Sequence, residues 1–534
     1  MLLIVLTWIY MCFVFAVQGE YVNRWLFQRK ITSGGEIILL GLIFQTIIAT
    51  MVAFFCRIHI EYFCCNTLFT LVLAFGDKNW LRRLKQGFQW DLFCTVLFGI
   101  IVLLSLMRSS MLPFIIDNES YYIQTTKWLN EYGWVKGLAN LHVFLAQGTP
   151  WHVLQAAYNF NFIYGIFNDL NGFLVCVVSF IWINKINELR QKADYQTNRW
   201  LFFLPLFTVL WFQFVDSPSP DLPLILLTLV VAYHILNQSD VGNLFAILLL
   251  VFLVFIKITI APVLVLLPFL LTKKNWKIAL AYSFTLGILY ILKGIWLSGC
   301  PFAPYTGFSL PFSWTIPSGL TILFAGDRFN FRSIGSNDLL DLGFAFLTIF
   351  TAIIYLGMVW KKRKHYPLLL FLFLDILLIL FIYSLFRYIF PALFFPLAFV
   401  LSKIKLPPRV LSILIYFFIL LAFVPLFTSL DYGKINRYSN LLKVDIFQAK
   451  YILKPAGITK YDDLSFDKKT CTNFDYFDPM DQSKFIFLTG NGQIPCVKTN
   501  YLRYMYAKTG CLPALFDEND LGKGFYSINN NSDP

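Results

Sequence analysis

From its first residue to about residue 429, the chain keeps returning to apolar runs near the length that crosses a bilayer. They fall at about 1–17, 36–55, 58–75, 89–108, 169–184, 200–215, 222–236, 242–256, 258–271, 277–297, 341–359, 367–384, 388–402 and 409–429. Inside lipid, backbone N–H and C=O groups have no water to bond, and in a sequence of this kind only helices satisfy them internally. The 534 residues are 58% hydrophobic and 14% charged, against roughly 25% charged in soluble domains. One aqueous core does not hide that much apolar surface. The expected fold is an all-α polytopic membrane protein of about fourteen spans, occupying residues 1–429, with outer loops at 109–168 and 298–340. The opening "MLLIVLTWIYMCFVFAV" lacks a basic start and a small-residue cleavage site, so it reads as the first span rather than a signal peptide.

The formal net charge is +13, but its distribution excludes a nucleic-acid surface. The cations cluster in short loops between apolar runs: Lys78, Arg82, Arg83 and Lys85; Lys185, Arg190, Lys192 and Arg199; Lys273, Lys274 and Lys277; Lys361, Lys362, Arg363 and Lys364; Lys403, Lys405 and Arg409. Such loops stay on the cytoplasmic side. That is expected to place 109–168, the turn "DSPSPDLP" (216–223), 298–340, Arg387, the tail and both termini on the extracytoplasmic side. One crossing, 169–184, then joins the first outer loop to the basic loop at 185, so 150–167 is expected to lie in the interface or re-enter from outside.

Residues 430–534 change character. They are rich in Lys, Asp, Asn and Gly, with one strand-like run, "KFIFL" (484–488), and read as a small extracytoplasmic α+β or irregular domain. Of ten cysteines, Cys300, Cys471, Cys496 and Cys511 fall outside the spans, where an oxidising compartment permits disulfides. No paired CxxC spacing marks a zinc site.

The first outer loop opens with "PFIIDNESYYIQTTKWLNEYG" (113–133). Residues 118–132 have helical character, and Asp117 is then placed as an N-cap, facing the positive helix end. A carboxylate at a membrane exit also suits a general base, and Asp117 with Glu119 suits a divalent cation through hard oxygen ligands. The same loop holds Tyr121, Tyr122, Lys127, His142 and His152, with Trp128, Trp134 and Trp151. These tryptophans fit an interfacial belt or a stack against sugar rings.

An acidic pair followed by aromatics, in the first large outer loop of a many-span protein, resembles the GT-C class of integral-membrane glycosyltransferases. More narrowly, "DNESYYIQTTKWLNEYGWVKGLANLH" (117–142), "SPSPDLP" (217–223) and "SGCPFAPYTG" (298–307) are similar to stretches of an uncharacterised group of bacterial GT-C-like membrane proteins. The resemblance implies transfer of a sugar from a polyprenyl-phosphate-linked donor to a glycan, lipid or protein acceptor outside the membrane. Asp117 would be the loop carboxylate, acting as general base or binding the acceptor, and Glu119 would orient the acceptor or a cation. This chain departs from other GT-C families in lacking a second clear acidic motif; later candidates are Asp216, Asp221 and Asp327.

A lipid-borne phosphate needs cations near the membrane surface. Lys257, Lys293 and Arg387 qualify by position, each with the alternative of snorkelling to the interface. Asp221 either caps the next span or lines the same cavity as Asp117. No Gly-rich phosphate loop and no large cytoplasmic domain is present for a nucleotide sugar. The alternatives are a lipid-linked oligosaccharide transporter or flippase, an O-antigen polymerase or ligase, and a non-catalytic assembly protein.

Overall fold

The computed structural model describes all residues except 78–79, 82–89, 165–168, 192–198, 208–213, 304, 321–338, 383–389, 405, 429–444, 462–463, 481–484 and 530–534. Among the described residues the chain is mostly helical, and a pair of two-stranded sheets lies near the C-terminus.

The helices are α1 (Leu2–Phe27), α2 (Gly34–Val52), α3 (Ile60–Gly76), α4 (Leu92–Ser109), α5 (Ile123–Glu131), α6 (Pro150–Tyr158), α7 (Leu170–Gln191), α8 (Asp221–Asn237), α9 (Asp240–Ile256), α10 (Trp276–Ser298), α11 (Leu339–Val359), α12 (Tyr366–Ile382), α13 (Phe390–Leu401), α14 (Pro408–Leu421) and α15 (Thr499–Thr509). Six described stretches are long and apolar enough to cross a membrane: α1, α2, α4, α7, α10 and Arg409–Phe427. That corrects the expectation of about fourteen. Seven further apolar stretches are helical over 10–17 described residues, below the roughly 20 residues that match the hydrocarbon core, and the run at 200–215 begins as a 3-10 segment, Arg199–Phe207. Ile258–Leu266 winds as a 3-10 helix around Pro262, because proline lacks the N–H that continues an α-helix.

Small residues set the closest packing. A Cβ on Gly19 would stand 1.9 Å from the Ile37 carbonyl oxygen, and one on Gly41 would stand 1.9 Å from that of Phe15. The α1 and α2 backbones therefore touch, as in close helix pairs of membrane proteins. A hydrogen-bonded network ties α1, α2, α3 and α6 together. Gln18 donates to Asn66 (3.0 Å) and Thr70 (2.8 Å), Gln45 donates to Asn66 (2.8 Å), Tyr62 donates to Gln45 (2.7 Å), and Asn66 donates to Tyr158 (3.2 Å). Such networks fix one arrangement of buried helices, since each polar group has a partner only in that arrangement.

The C-terminal tail docks on one end of the bundle. The Met1 amino group donates to the Tyr451 carbonyl at 2.5 Å, and the Ala456 N–H donates to Ser110 at 2.8 Å. Its strands are β1 (Phe466–Cys471) with β2 (Phe474–Pro479), and β3 (Cys511–Leu515) with β4 (Phe525–Asn529), both pairs antiparallel. In the described part of the expected strand at 484–488, Phe485–Leu488 turns instead, and Phe487 stacks on Phe144 with ring centroids 4.4 Å apart. Packing against Phe144 replaces strand pairing there. All ten cysteines are free thiols, so the permitted disulfides do not form; Cys471 instead approaches Pro513 O and Cys496 approaches Thr489 O.

Candidate functional site

The acidic loop does not begin as a simple capped helix. Asn118–Tyr122 forms a π-turn ahead of α5, Asp117 already has helical angles (φ −61°, ψ −25°), and its side chain makes no capping bond. This corrects the N-cap reading. The wide turn faces two ways. Asn118 donates to Ile458 O (2.7 Å) and the Glu119 carboxylate accepts from Thr459 Oγ1 (2.6 Å) and the Lys460 N–H (3.0 Å). Tyr121 and Tyr122 turn instead toward His152, with ring centroids 6.1 and 4.8 Å away. Asp117 stands half-buried at the head of this turn.

Three predicted ligands are therefore engaged by the protein itself. Glu119 is buried, and burial lifts its carboxyl above the ordinary range against the lowering by Thr459 and Lys460. Lys127 donates to Gly492 O (2.7 Å) and Asn491 O (3.3 Å). His142 stacks on Tyr501 at 4.6 Å, and burial holds its pKa down at about 3. All three fasten the 109–168 loop to the tail. The tryptophans of the expected belt are core residues: Trp128, Trp134 and Trp151 are buried, and Trp151 donates to Asn171 at 2.7 Å. Aromatic area this large is stabilising wherever water is excluded, which the sequence does not distinguish from an interface.

The "DSPSPDLP" turn organises the rest. Asn171 on α7 clamps it by donating to Phe214 O (2.6 Å) and Ser219 O (3.0 Å). The turn then presents two carboxylates in two directions. Asp216 pairs with Arg108, the last charged residue of α4, with side chains 0% and 2% exposed. Burial raises the Asp216 carboxyl, while Arg108 and Lys460 pull it down. Asp221 opens α8 and pairs with Lys257 at the end of α9.

Around the second pair stand His152 and Lys293. His152 closes a capping box at the start of α6, its Nδ1 accepting the Thr149 N–H at 3.1 Å. Lys293 of α10 donates to the carbonyl of the preceding residue, Gly148, at 2.7 Å and lies over the Tyr290 ring at 4.9 Å. His152 feels the charges of Lys293, Lys257 and Asp221, and its pKa falls to about 3, chiefly through burial. Thus Tyr121, Tyr122, His152, Asp221, Lys257 and Lys293 converge, as the sequence suggested. Arg387 lies outside the described residues, as do Asp327, Arg328 and Arg332.

Two charged participants escape a reading of the sequence. Arg108 ends an apolar run, where an arginine passes for a flanking charge; its full burial is a tertiary fact. Lys460 lies in the tail, yet its ammonium donates to Phe114 O at 3.3 Å and senses Asp216, Arg108 and Glu119. Among the described residues no group of three or more His, Cys, Asp or Glu is arranged to hold a metal ion. Each oxygen of the Glu119 carboxylate accepts a hydrogen bond from the tail, one from Thr459 and one from the Lys460 N–H.

A family model described as a domain of unknown function, DUF8201, matches residues 1–338, more than half of the chain. The chain belongs to the DUF8201 family. The DUF8201 region contains Arg108, Asp117, His152, Asp216, Asp221, Lys257 and Lys293, whereas Thr459 and Lys460 reach the site from beyond it. No curated protein and no solved structure matches the chain.

Proposed function

We propose that this protein is an integral-membrane glycosyltransferase that moves a sugar from a polyprenyl-phosphate carrier to an acceptor on the extracytoplasmic side, in surface glycan or glycolipid assembly. The observation that carries the reading is the gathering of Tyr122, His152, Lys257 and Lys293 with the ion-paired Asp221, beside the turn that Asp117 heads. A lipid-borne phosphate and a water-borne hydroxyl meet where apolar helices end. In this reading the shorter apolar helices also cross, with tilt or local bilayer thinning absorbing the mismatch.

Asp117 is the general base. The acceptor oxygen attacks the anomeric carbon, the bond from that carbon to the phosphate oxygen breaks, and the hydroxyl proton passes to Asp117. The polyprenyl phosphate departs, gaining a negative charge that nearby ammonium groups stabilise. Glu119 holds the loop to the tail rather than touching the acceptor.

The test is deletion of the gene in its host, with glycan, glycolipid and glycoprotein profiling by mass spectrometry. Loss of one sugar, restored by wild type but not by well-expressed Asp117→Asn, supports transfer. An unchanged profile overturns it and favours transport or a non-catalytic assembly role.

A further inference from the structure

Far from the acidic loop, α12 reads "YPLLLFLFLDILLILFI", with one carboxyl group, Asp375, near the middle of its 17 residues. Leu368, Phe371, Leu372 and Asp375 fall at i, i+3, i+4 and i+7, the spacing of one helix face. All four are buried, whereas Leu370 and Phe373 are exposed. The acid therefore continues the apolar stripe by which α12 packs inward. It is 1% exposed, its Oδ2 has no hydrogen-bond partner, and no cation pairs with it among the described residues.

α12 packs on the 3-10 segment Ile258–Leu266 and on α13. Neither "ITIAPVLVL" nor "FPALFFPLAFVL" contains a titratable residue. On α12 itself the other titratable residue is Tyr366, 45% exposed at its start. In the turn before it, Arg363–His365, the His365 ring shares a hydrogen bond with the Tyr355 hydroxyl at 2.8 Å. Along the chain the nearest basic residues are Lys364 and Arg387, eleven and twelve positions from Asp375. Both packed segments also carry an internal proline. Pro262 donates no bond to the Thr259 carbonyl, and Pro396 donates none to that of Ala392. Carbonyls at such breaks serve membrane transporters as acceptors for protons and cations.

An ionised Asp375 is a buried charge without a counter-ion, and a neutral one is a buried donor without an acceptor. Both are costly, and a carboxyl retained among apolar helices at that cost marks a proton path. We infer that Asp375 is a proton-binding site inside the helix bundle, a relay group that takes up and releases a proton. A metal cation fits less well. Residues 258–266 and 390–401 supply one side-chain oxygen, the Thr259 hydroxyl, whereas a hard cation gathers about six oxygen ligands. The 3-10 segment starts directly after Lys257, so Asp375 stands one element away from the Asp221–Lys257 pair. The inference is independent of glycosyl transfer.

The test uses the full chain in liposomes and two readouts. The first is labelling by dicyclohexylcarbodiimide, which partitions into apolar regions and adds to a protonated carboxyl: the acid proton goes to one nitrogen, the carboxyl oxygen bonds to the central carbon, and nothing leaves. The second is the infrared carbonyl band of the neutral acid, with carbon-13 aspartate. Mass spectrometry should find the label on Asp375, and a water-soluble carbodiimide should leave it unmodified. Labelling should fall about tenfold for each pH unit above the midpoint of a one-proton titration, and the band should fall with it. Asp375→Asn should lose label and band, while Asp375→Glu should keep a titrating band. A titrating band without label still supports the site. A band that is missing, or that does not change between about pH 5 and pH 9, overturns it and leaves Asp375 a fixed structural group. Protection from labelling by sodium ions at constant pH overturns the proton as ligand in favour of a metal cation.

Discussion

The Glu119 carboxylate accepts a hydrogen bond from Thr459 Oγ1 at 2.6 Å, across 340 positions of chain. That bond joins the turn carrying Asp117 to the tail. Thr459→Val is expected to cost about 1.5–3 kcal/mol, the range for a hydrogen bond to a charged group, and to raise protease sensitivity of the tail. Limited proteolysis with peptide mapping checks both; an unchanged tail digestion rate contradicts the role.

The Arg108–Asp216 pair should behave as a buried ion pair does. Asp216→Asn is expected to destabilise by about 3–5 kcal/mol, because Arg108 loses its pairing charge in a dry site. The double variant Arg108→Met with Asp216→Leu should recover most of that loss. Thermal unfolding of the purified variants reads the difference, and additive losses in the double variant would sink the assignment.

Asp117 differs from its neighbours in making no capping bond and standing half-buried. It is half-buried where Asp216 is fully buried, so Asp117→Asn should abolish transfer at a smaller cost in unfolding temperature than Asp216→Asn. A stability loss equal to that of Asp216→Asn would make it a structural carboxylate.

Acid acts in opposite directions on two buried contacts with the tail. Burial raises Glu119 above its ordinary 4.5, so the folded form takes up the proton first and gains stability as pH falls through the raised pKa. His142 is depressed from 6.5 to about 3, so its contribution is complete above pH 6.5 and is lost as pH falls toward 3. At pH 5 the histidine term is about 2 kcal/mol. His142→Phe should accordingly gain stability relative to wild type between pH 7 and pH 5, and Glu119→Gln should lose the opposing acid gain. Parallel stability–pH curves for wild type and both variants would contradict these assignments.

Gly41 tests the helix contact. A side chain there meets the Phe15 carbonyl at 1.9 Å, and backbone has no rotamer by which to yield. Gly41→Leu is expected to destabilise by about 3 kcal/mol or more, read as loss of the monodisperse peak in size-exclusion chromatography. Gly99→Leu, where a Cβ meets nothing within 4 Å, should leave that peak intact.

The sequence by itself determined the helical, apolar character of the chain, and it named Tyr122, His152, Asp221, Lys257 and Lys293 as polar residues with reason to meet. Both follow from local chemistry: lipid-length apolar runs demand helices, and polar groups at their ends demand partners. Only the tertiary structure decided which partners. Glu119, Lys127 and His142 look as available in sequence as Lys293 does, yet the tail claims them through Thr459, Gly492 and Tyr501. Arg108 reads as a flanking charge until Asp216 arrives from 108 residues away. Trp128, Trp134 and Trp151 read as surface anchors until the helices close over them. Burial and long-range pairing belong to how elements pack, and no local pattern of residues encodes them.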